Sequence, residues 1–300
     1  MRIFENTNFA FTESRNVGYI ISGTLIVLSL LSLTFNGLEL GIDFRGGMEF
    51  VVELDEPHTA TEVRSALADV LVQAPEVKTY GVENNALIIR AAETGNMREV
   101  QTQIVEGLTA AFGASNPQIV KTDIVGPRFA QDLQEGAIYS ILGSLLVIFV
   151  YILIRFEWRF SVGAVAALFH DVIITLGMFS ALRFIVPFSL QVDQTIIAAF
   201  LTIVGYSLND TVVVFDRIRE YTGIFKSEKY DVVVNRSINN TLSRTVITSG
   251  TTLLVVAILF IFGGEVLRGF AFALLIGIVI GTYSSIFVAS PVVLALRQRT

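Results

Sequence analysis

The sequence predicts an α-helical polytopic membrane protein with six transmembrane helices and one α/β domain inserted between the first and second. Three observations carry this. Of 300 residues, 53% are hydrophobic and only 16% are charged, against about 25% charged in a typical soluble chain. Six apolar runs are long enough to cross a bilayer, which takes about 20 residues at 1.5 Å rise each. Between the first two runs the pattern turns globular and acidic. Composition also excludes several classes. The absence of cysteine removes disulfides, thiolate metal sites and a cysteine nucleophile. Two histidines, His58 and His170, leave little for a zinc site. No glycine precedes a lysine, so no phosphate-binding P-loop is encoded. The net charge of −6 argues against nucleic acid as a partner. No metal, cofactor or enzymatic reaction is expected.

The first apolar run covers residues 17–36. Its tail, Leu31-Ser32-Leu33-Thr34-Phe35, lacks a small-residue cleavage site, so residues 1–36 read as an uncleaved anchor with its N-terminal tail. Residues 37–128 hold 14 acidic and 7 basic side chains, a net −7 that outweighs the −6 of the whole chain. Met48 to Leu54 reads as a strand. Thr59-Ala60-Thr61-Glu62 is a capping box, opening a helix with Val63, Ala66, Leu67 and Val70 on its apolar face. Val77 to Val82 and Ala86 to Ala91 read as strands around a Glu83-Asn84-Asn85 turn. Asn96 caps a second helix that runs to Gly113, with Val100, Ile104 and Leu108 on one face, and Gln118 to Val125 is a last strand. The order β-α-β-β-α-β is the split β-α-β, ferredoxin-like plan. Residues 129–300 supply the remaining runs, at 133–154, 160–182, 194–215, 245–263 and 269–292.

Orientation follows from lysine and arginine in the short loops. Arg2 and Arg15 precede the first run, Arg155 and Arg159 separate the second and third, and Arg297 and Arg299 follow the sixth. Arg217, Arg219, Lys226, Lys229 and Arg236 lie between the fourth and fifth. The opposite short loops hold only Arg183 and Arg268. Both termini are therefore expected in the cytoplasm, with the acidic α/β domain outside.

An ionisable side chain inside a span costs about 2.5–3.5 kcal/mol at the helix centre on insertion scales and marks a functional candidate. Asp171 lies near the middle of the third run, Asp210 in the fourth and Arg244 at the start of the fifth. Counting rise puts Asp210 and Arg244 at matching depth, as a structural ion pair or a proton-handling one. Arginine keeps its proton, so such a pair changes state only at the aspartate. Asp171 shares a face with Gly163, Ala167 and Thr175, where it lines a hydrated cavity or bonds a neighbouring helix. Gly269, Ala273, Gly277 and Gly281 form a small-residue stripe suited to close helix approach. An aspartyl-protease dyad fits less well, because no Gly-x-Gly-Asp occurs and Asp210 has a basic partner at its depth.

Three motifs are then similar to one family. Gly41-Ile42-Asp43-Phe44-Arg45-Gly46-Gly47 resembles the glycine signature of the SecF family, the smaller partner of SecD in bacterial protein export. The stretch from Gly205 to Arg217, with Asn209 and Asp210, resembles the family's fourth-span motif, and Arg236 to Thr245 its approach to the fifth. Arg45 is more typical of the SecD version, and Asn240 stands where glutamine is expected. The resemblance covers the chain. It implies the resistance-nodulation-division superfamily, the bacterial inner membrane, and work with SecD at the SecYEG translocon, driven by protons. An unfolded exported polypeptide at the outer domain is implied as a further partner. It also implies a proton pathway through Asp210 and Arg244, to which Asn209 and Asp171 are added as polar candidates read from the spans themselves. Gly41, Asp43, Gly46 and Gly47 read as a hinge or a rigid turn. A proton-driven small-molecule exporter subunit of the same superfamily is the alternative, though such pumps are expected to join two halves in one chain with larger outer domains.

Overall fold

Backbone groups inside a bilayer have no water to bond, so each apolar run closes its hydrogen bonds internally as a helix. The computed structural model describes residues 7–72, 75–80, 85–91, 96–113, 115–186 and 188–298. It contains six helices long and apolar enough to cross a membrane. They are α1 (Arg15–Phe35), α5 (Pro127–Arg155), α6 (Trp158–Leu182), α7 (Gln194–Ile224), α8 (Tyr230–Phe262) and a composite sixth. The sixth joins α9 (Gly264–Ser284), a π-helical turn (Ser285–Ala289) and α10 (Ser290–Gln298). Helices α7 and α8 run well past the apolar runs. Once outside the bilayer, a helix needs no apolar residues to continue, so hydropathy reports the membrane and not the helix end.

A four-stranded antiparallel sheet lies between α1 and α5 in the chain. Its strands are β1 (Gly47–Glu53), β2 (Glu76–Tyr80), β3 (Ala86–Ala91) and β4 (Gln118–Val125), in the order β2-β3-β1-β4. Helices α3 (Ala60–Leu67) and α4 (Met97–Phe112) follow β1 and β3. Alternate residues of β1, Met48, Phe50 and Val52, join Leu87 and Ile89 of β3 in a core with Val63, Leu67, Ile104 and Leu108. The Thr59 capping box forms on both sides, and the Asn96 side chain accepts from the Arg98 amide. The turn read at Glu83-Asn84-Asn85, and Arg2 and Arg299, fall partly or wholly outside the described residues.

The sheet's second face is charged. Register pairs Glu49 with Arg90 and Glu76 with Arg90 across neighbouring strands. A short helix, α2 (Ile42–Arg45), which the sequence reading did not contain, precedes β1.

In the bundle α6 is the central element, touching α1, α5, α7, α9 and α10. Close approach is built from small residues. A side-chain carbon on Gly177 would strike Ser29 of α1, and one on Gly18 would lie 2.8 Å from Phe287. On α9, a carbon at Gly277 would strike Ile203 of α7, and one at Gly281 would lie 2.9 Å from the Ser207 side chain. Gly269 backs onto Ser189 and Ile196, and Ala273 is fully buried. The stripe is thus the seam along which α9 meets α7.

Gly277→Val is expected to lower stability in detergent by about 1–3 kcal/mol, the usual cost of overpacking. Gly205→Ala, at a helix position with open space around it, is expected to be neutral or slightly stabilising. Denaturant unfolding followed by circular dichroism compares the two.

Candidate functional site

Asp171 sits on the middle of α6 with no exposed surface. A buried carboxylate must be paired or hydrogen-bonded, and here donors come from several directions. The hydroxyls of Ser207 on α7 and Ser284 on α9 donate to one oxygen, at 2.6 and 2.9 Å. His170 Nδ1 lies 3.0 Å from the other. His170 is itself buried, its Nε2 3.1 Å from the Ser22 hydroxyl on α1. Ser22 lies 3.1 Å from the Tyr283 phenol, which donates to the Gly18 carbonyl at 2.8 Å. Ser207 and Ser284 reach one oxygen because Gly281 lets α9 close onto α7 at Ser207.

Asp210 is buried on α7, one turn beyond Ser207. Its carboxylate accepts from the Ser249 hydroxyl of α8 at 3.1 Å, and Ser249 in turn accepts from Thr282 of α9 at 2.8 Å. Arg244 is exposed and, among the described residues, makes no ion pair within 4.0 Å. The structure therefore does not bring Asp210 and Arg244 into contact, although the arginine charge still acts on the carboxylate through space. The reason is position along and around the helix. Ser249 lies five residues from Arg244, about 7.5 Å along α8 and about 140° around it. When the serine faces Asp210, the arginine is both displaced and turned aside.

Arg244 turns into a cavity of about 1320 Å³ between the basic ends of α7 and α8. Asn209, Ser243 and Ile247 form its wall beside Arg244, with Asp216 and Arg236 also lining it. Asn209, the neighbour of Asp210, is exposed to this space. The cavity thus reaches the residue beside the buried carboxylate.

The glycine motif anchors the other end of α7. Asp43 accepts from the Gln194 amide at 2.9 Å, and Asp193 caps the same helix by accepting from Ile196 at 2.8 Å. Two carboxylates thus face the positive end of the helix dipole. Burial, with the Asp43 charge nearby, pushes the Asp193 carboxyl above its ordinary range. Gly41 donates to the Val192 carbonyl at 2.8 Å, and a side chain there would meet Asp193. Gly46 and Gly47 have φ of +73° and +113°, a region that favours glycine. A side-chain carbon at Gly46 would lie 3.1 Å from the Val125 carbonyl and one at Gly47 3.0 Å from that of Ala91.

The charged sheet face docks beside this turn. Arg90 pairs with Glu49 at 2.7 Å and donates to the Leu40 carbonyl and to Gln191. Gln191 donates to Glu39 at 2.5 Å, and Lys78 pairs with Glu39 and Glu76. Burial, helped by the charges of Arg90 and Arg183, brings the Lys78 ammonium down to about 8. The sequence reading missed this latch, whose signal was Glu76 and Lys78 flanking Val77 in β2, beside Glu49 within β1 and Arg90 within β3.

Comparison with known proteins bears on all of this. The model of the protein export membrane protein SecD/SecF C-terminal region matches residues 104–299, and that of the SecD/SecF GG motif matches 31–57. A protein translocase subunit SecF from Rhodothermus marinus is 68% identical over 100% of this chain and 96% of its own length. The chain belongs to the SecF family. Another SecF, from Desulfurispirillum indicum, is 45% identical over 96% of the chain and 92% of its own length. The crystal structure of SecDF from Thermus thermophilus, a translocon-associated membrane protein, aligns at 34% identity and a TM-score of 0.88 over 100% of this chain. A SecDF structure in a super-membrane-facing form aligns at 32% and 0.71 over 99%. This SecF-family chain spans 40% of the length of each SecDF chain.

In this SecF-family chain Arg90 makes three stabilising contacts, while burial and like charges oppose Lys78. Arg90→Gln is expected to speed hydrogen exchange at the Gly41 and Val192 amides about tenfold or more, since charge-assisted bonds are worth roughly 1.5–3 kcal/mol. Lys78→Gln is expected to speed it less.

Proposed function

We propose that this chain is the SecF subunit of a SecD–SecF complex in the bacterial cytoplasmic membrane, using the proton gradient to promote protein translocation through SecYEG. Its α/β module is read as the ferredoxin-like extracytoplasmic domain at 37–128, and the strand order β2-β3-β1-β4 supports that plan. The bundle of 129–300 holds the proton pathway, with both termini in the cytoplasm. The reading rests chiefly on a buried carboxylate, Asp210, one residue from a polar cavity that holds an obligate cation, Arg244.

Protonation of Asp210 removes the charge that Arg244 attracts and that Ser249 solvates, so the seam between α7 and α8 loses part of its preference for this arrangement. One elementary charge crossing 100 mV supplies about 2.3 kcal/mol, enough to bias two packings that differ by a partly buried charge interaction. Movement of α7 reaches the outer domain through Asp43, which sits on the helix's first amide and continues through Gly46 and Gly47 into β1. An unfolded exported polypeptide is the expected client at that domain.

Two tests follow. Reporters fused after Asn85 and after Lys226 should fall on opposite sides of the membrane, outside and inside respectively, and a shared side would remove the six-span arrangement. In SecYEG vesicles that hold SecD and this chain, Asp210→Asn should assemble yet lose gradient-dependent stimulation of export. Arg244→Lys keeps charge but loses the planar fork, and should lose part or all of it. Full stimulation by both variants would reduce the two residues to structural roles.

A further inference from the structure

Helix α8 carries three asparagines near its basic end, Asn235, Asn239 and Asn240. Asparagine is a poor residue for a helix interior, and two of the three bond to a segment outside the helix. Asn235 and Asn239 are four residues apart and share one face of α8, which residues 9–12 cross. Buried Asn239 bonds both backbone groups of one residue. Its Oδ1 accepts from the Phe9 amide at 2.8 Å, and its Nδ2 donates to the Phe9 carbonyl at 2.9 Å. The second Nδ2 hydrogen goes to the Asn235 carbonyl one turn back, also at 2.9 Å. Asn235 Oδ1 accepts from the Thr12 amide at 3.2 Å.

The two ends of this segment are held differently. Phe11 packs on the apolar cluster that contains Ile238 and Ile286, and meets the Phe287 ring edge-on at 5.9 Å. Phe9 is 52% exposed, and Asn8 and Ala10 are exposed beside it. Among the described contacts, the tip is held by the Asn239 amide and by an edge contact of Phe9 with Phe11 at 5.8 Å. Segments with few buried apolar contacts and backbone bonds near solvent open at low cost. Thr7 and Asn8 of this tip wall the same cavity as Asn209 of α7 and Arg244 of α8.

We propose that residues 7–9 are a hinged clasp on this cavity, rooted at Phe11, shut by Asn239 and opened when that amide lets go. Opening removes one wall of the cavity and widens the path of water to Asn209, the neighbour of Asp210. It also unfastens the tip of the segment that leads into α1 at Arg15 from α8. The purpose of the clasp rests on the proton-driven reading; its geometry does not.

Hydrogen exchange on the full-length protein in lipid reads the clasp directly. The Phe9 amide is expected to be protected. Asn239→Leu, which keeps the helix, is expected to speed its exchange about tenfold through the loss of one to two hydrogen bonds. Thr12, held by Asn235 beside the Phe11 root, is expected to change less. A Phe9 amide that exchanges alike in both proteins overturns the clasp. The chain has no cysteine, so Ile247→Cys on the cavity wall gives a single thiol. Its labelling by a charged maleimide is expected to quicken severalfold in the Asn239→Leu background, and an unchanged rate overturns the widening. For function, Asn8→Cys and Asn240→Cys, both exposed on the cavity wall, are joined by a short reducible crosslinker that locks the clasp shut. In SecYEG vesicles with SecD, the locked protein is expected to lose most of the gradient-dependent increment in export and to regain it on reduction. Full export by the locked protein, or a loss that reduction does not restore, overturns the release step. A parent protein with no gradient-dependent increment overturns the proton-driven reading instead, and exchange and labelling still decide the clasp.

Discussion

The rest of the bundle is arranged around one problem, a carboxylate at its centre with no exposed surface. Asp171 is tolerable there only because hydroxyls from α7 and α9 and an imidazole from its own helix surround it. Those donors must sit within 3 Å, and short serines reach that far only if the helix backbones nearly touch. The seam of Gly277 and Gly281 against Ile203 and Ser207 provides the approach. Packing and polarity are therefore one constraint here. Enlarging the seam residues would strip Asp171 of its donors as surely as replacing the serines.

The same economy links bundle and outer domain. A sheet in an ordinary two-layer module keeps one face apolar under its helices and leaves the other to water. Here the second face carries Glu49, Glu76, Lys78 and Arg90, and it meets Glu39, Leu40 and Gln191. The segment leaving α1 is thus fastened to the segment entering α7 by backbone bonds between Glu39, Gly41 and Val192. A shift of either helix acts on the domain through short, bonded segments and not through a slack linker.

Much of this was legible in the sequence, for identifiable reasons. The six spans showed because a bilayer demands long apolar runs, and β3 and β4 showed as short runs holding Ile88-Ile89, Ile119-Val120 and Ile124-Val125. The extension of α8 back to Tyr230 did not show, since its polar turns lie beyond the apolar signal. The partner of Asp210 was not legible: depth counting pointed to Arg244, and the hydroxyl that meets the carboxylate is Ser249, five residues further along α8. Axial rise can be counted from a boundary, whereas the facing residue depends on how each helix is rotated, and that is set by contacts elsewhere. The role of His170 was hidden for a related reason. Its partner Ser22 is 148 residues away in the chain, and nothing in local pattern connects them.

The two carboxylates end up in opposite situations, and this asymmetry gives the bundle a direction. Asp171 is enclosed by its own chain on all sides, with its side-chain partners contributed by α6, α7 and α9. Asp210 has one sealed side, toward Ser249 and Thr282, and one side next to Asn209 and a cavity that opens among Arg236, Asp216 and Arg244. A charge is far cheaper to hold beside that polar space than at Asp171, because solvation falls steeply as water is removed. Of the two carboxylates, Asp210 is the one whose sequence neighbour lines the cavity at the basic end. Thr282 on the Asp210 side and Ser284 on the Asp171 side are two residues apart on α9, immediately before its winding changes. Both networks are thus bonded to one stretch of α9, immediately ahead of the irregular turn.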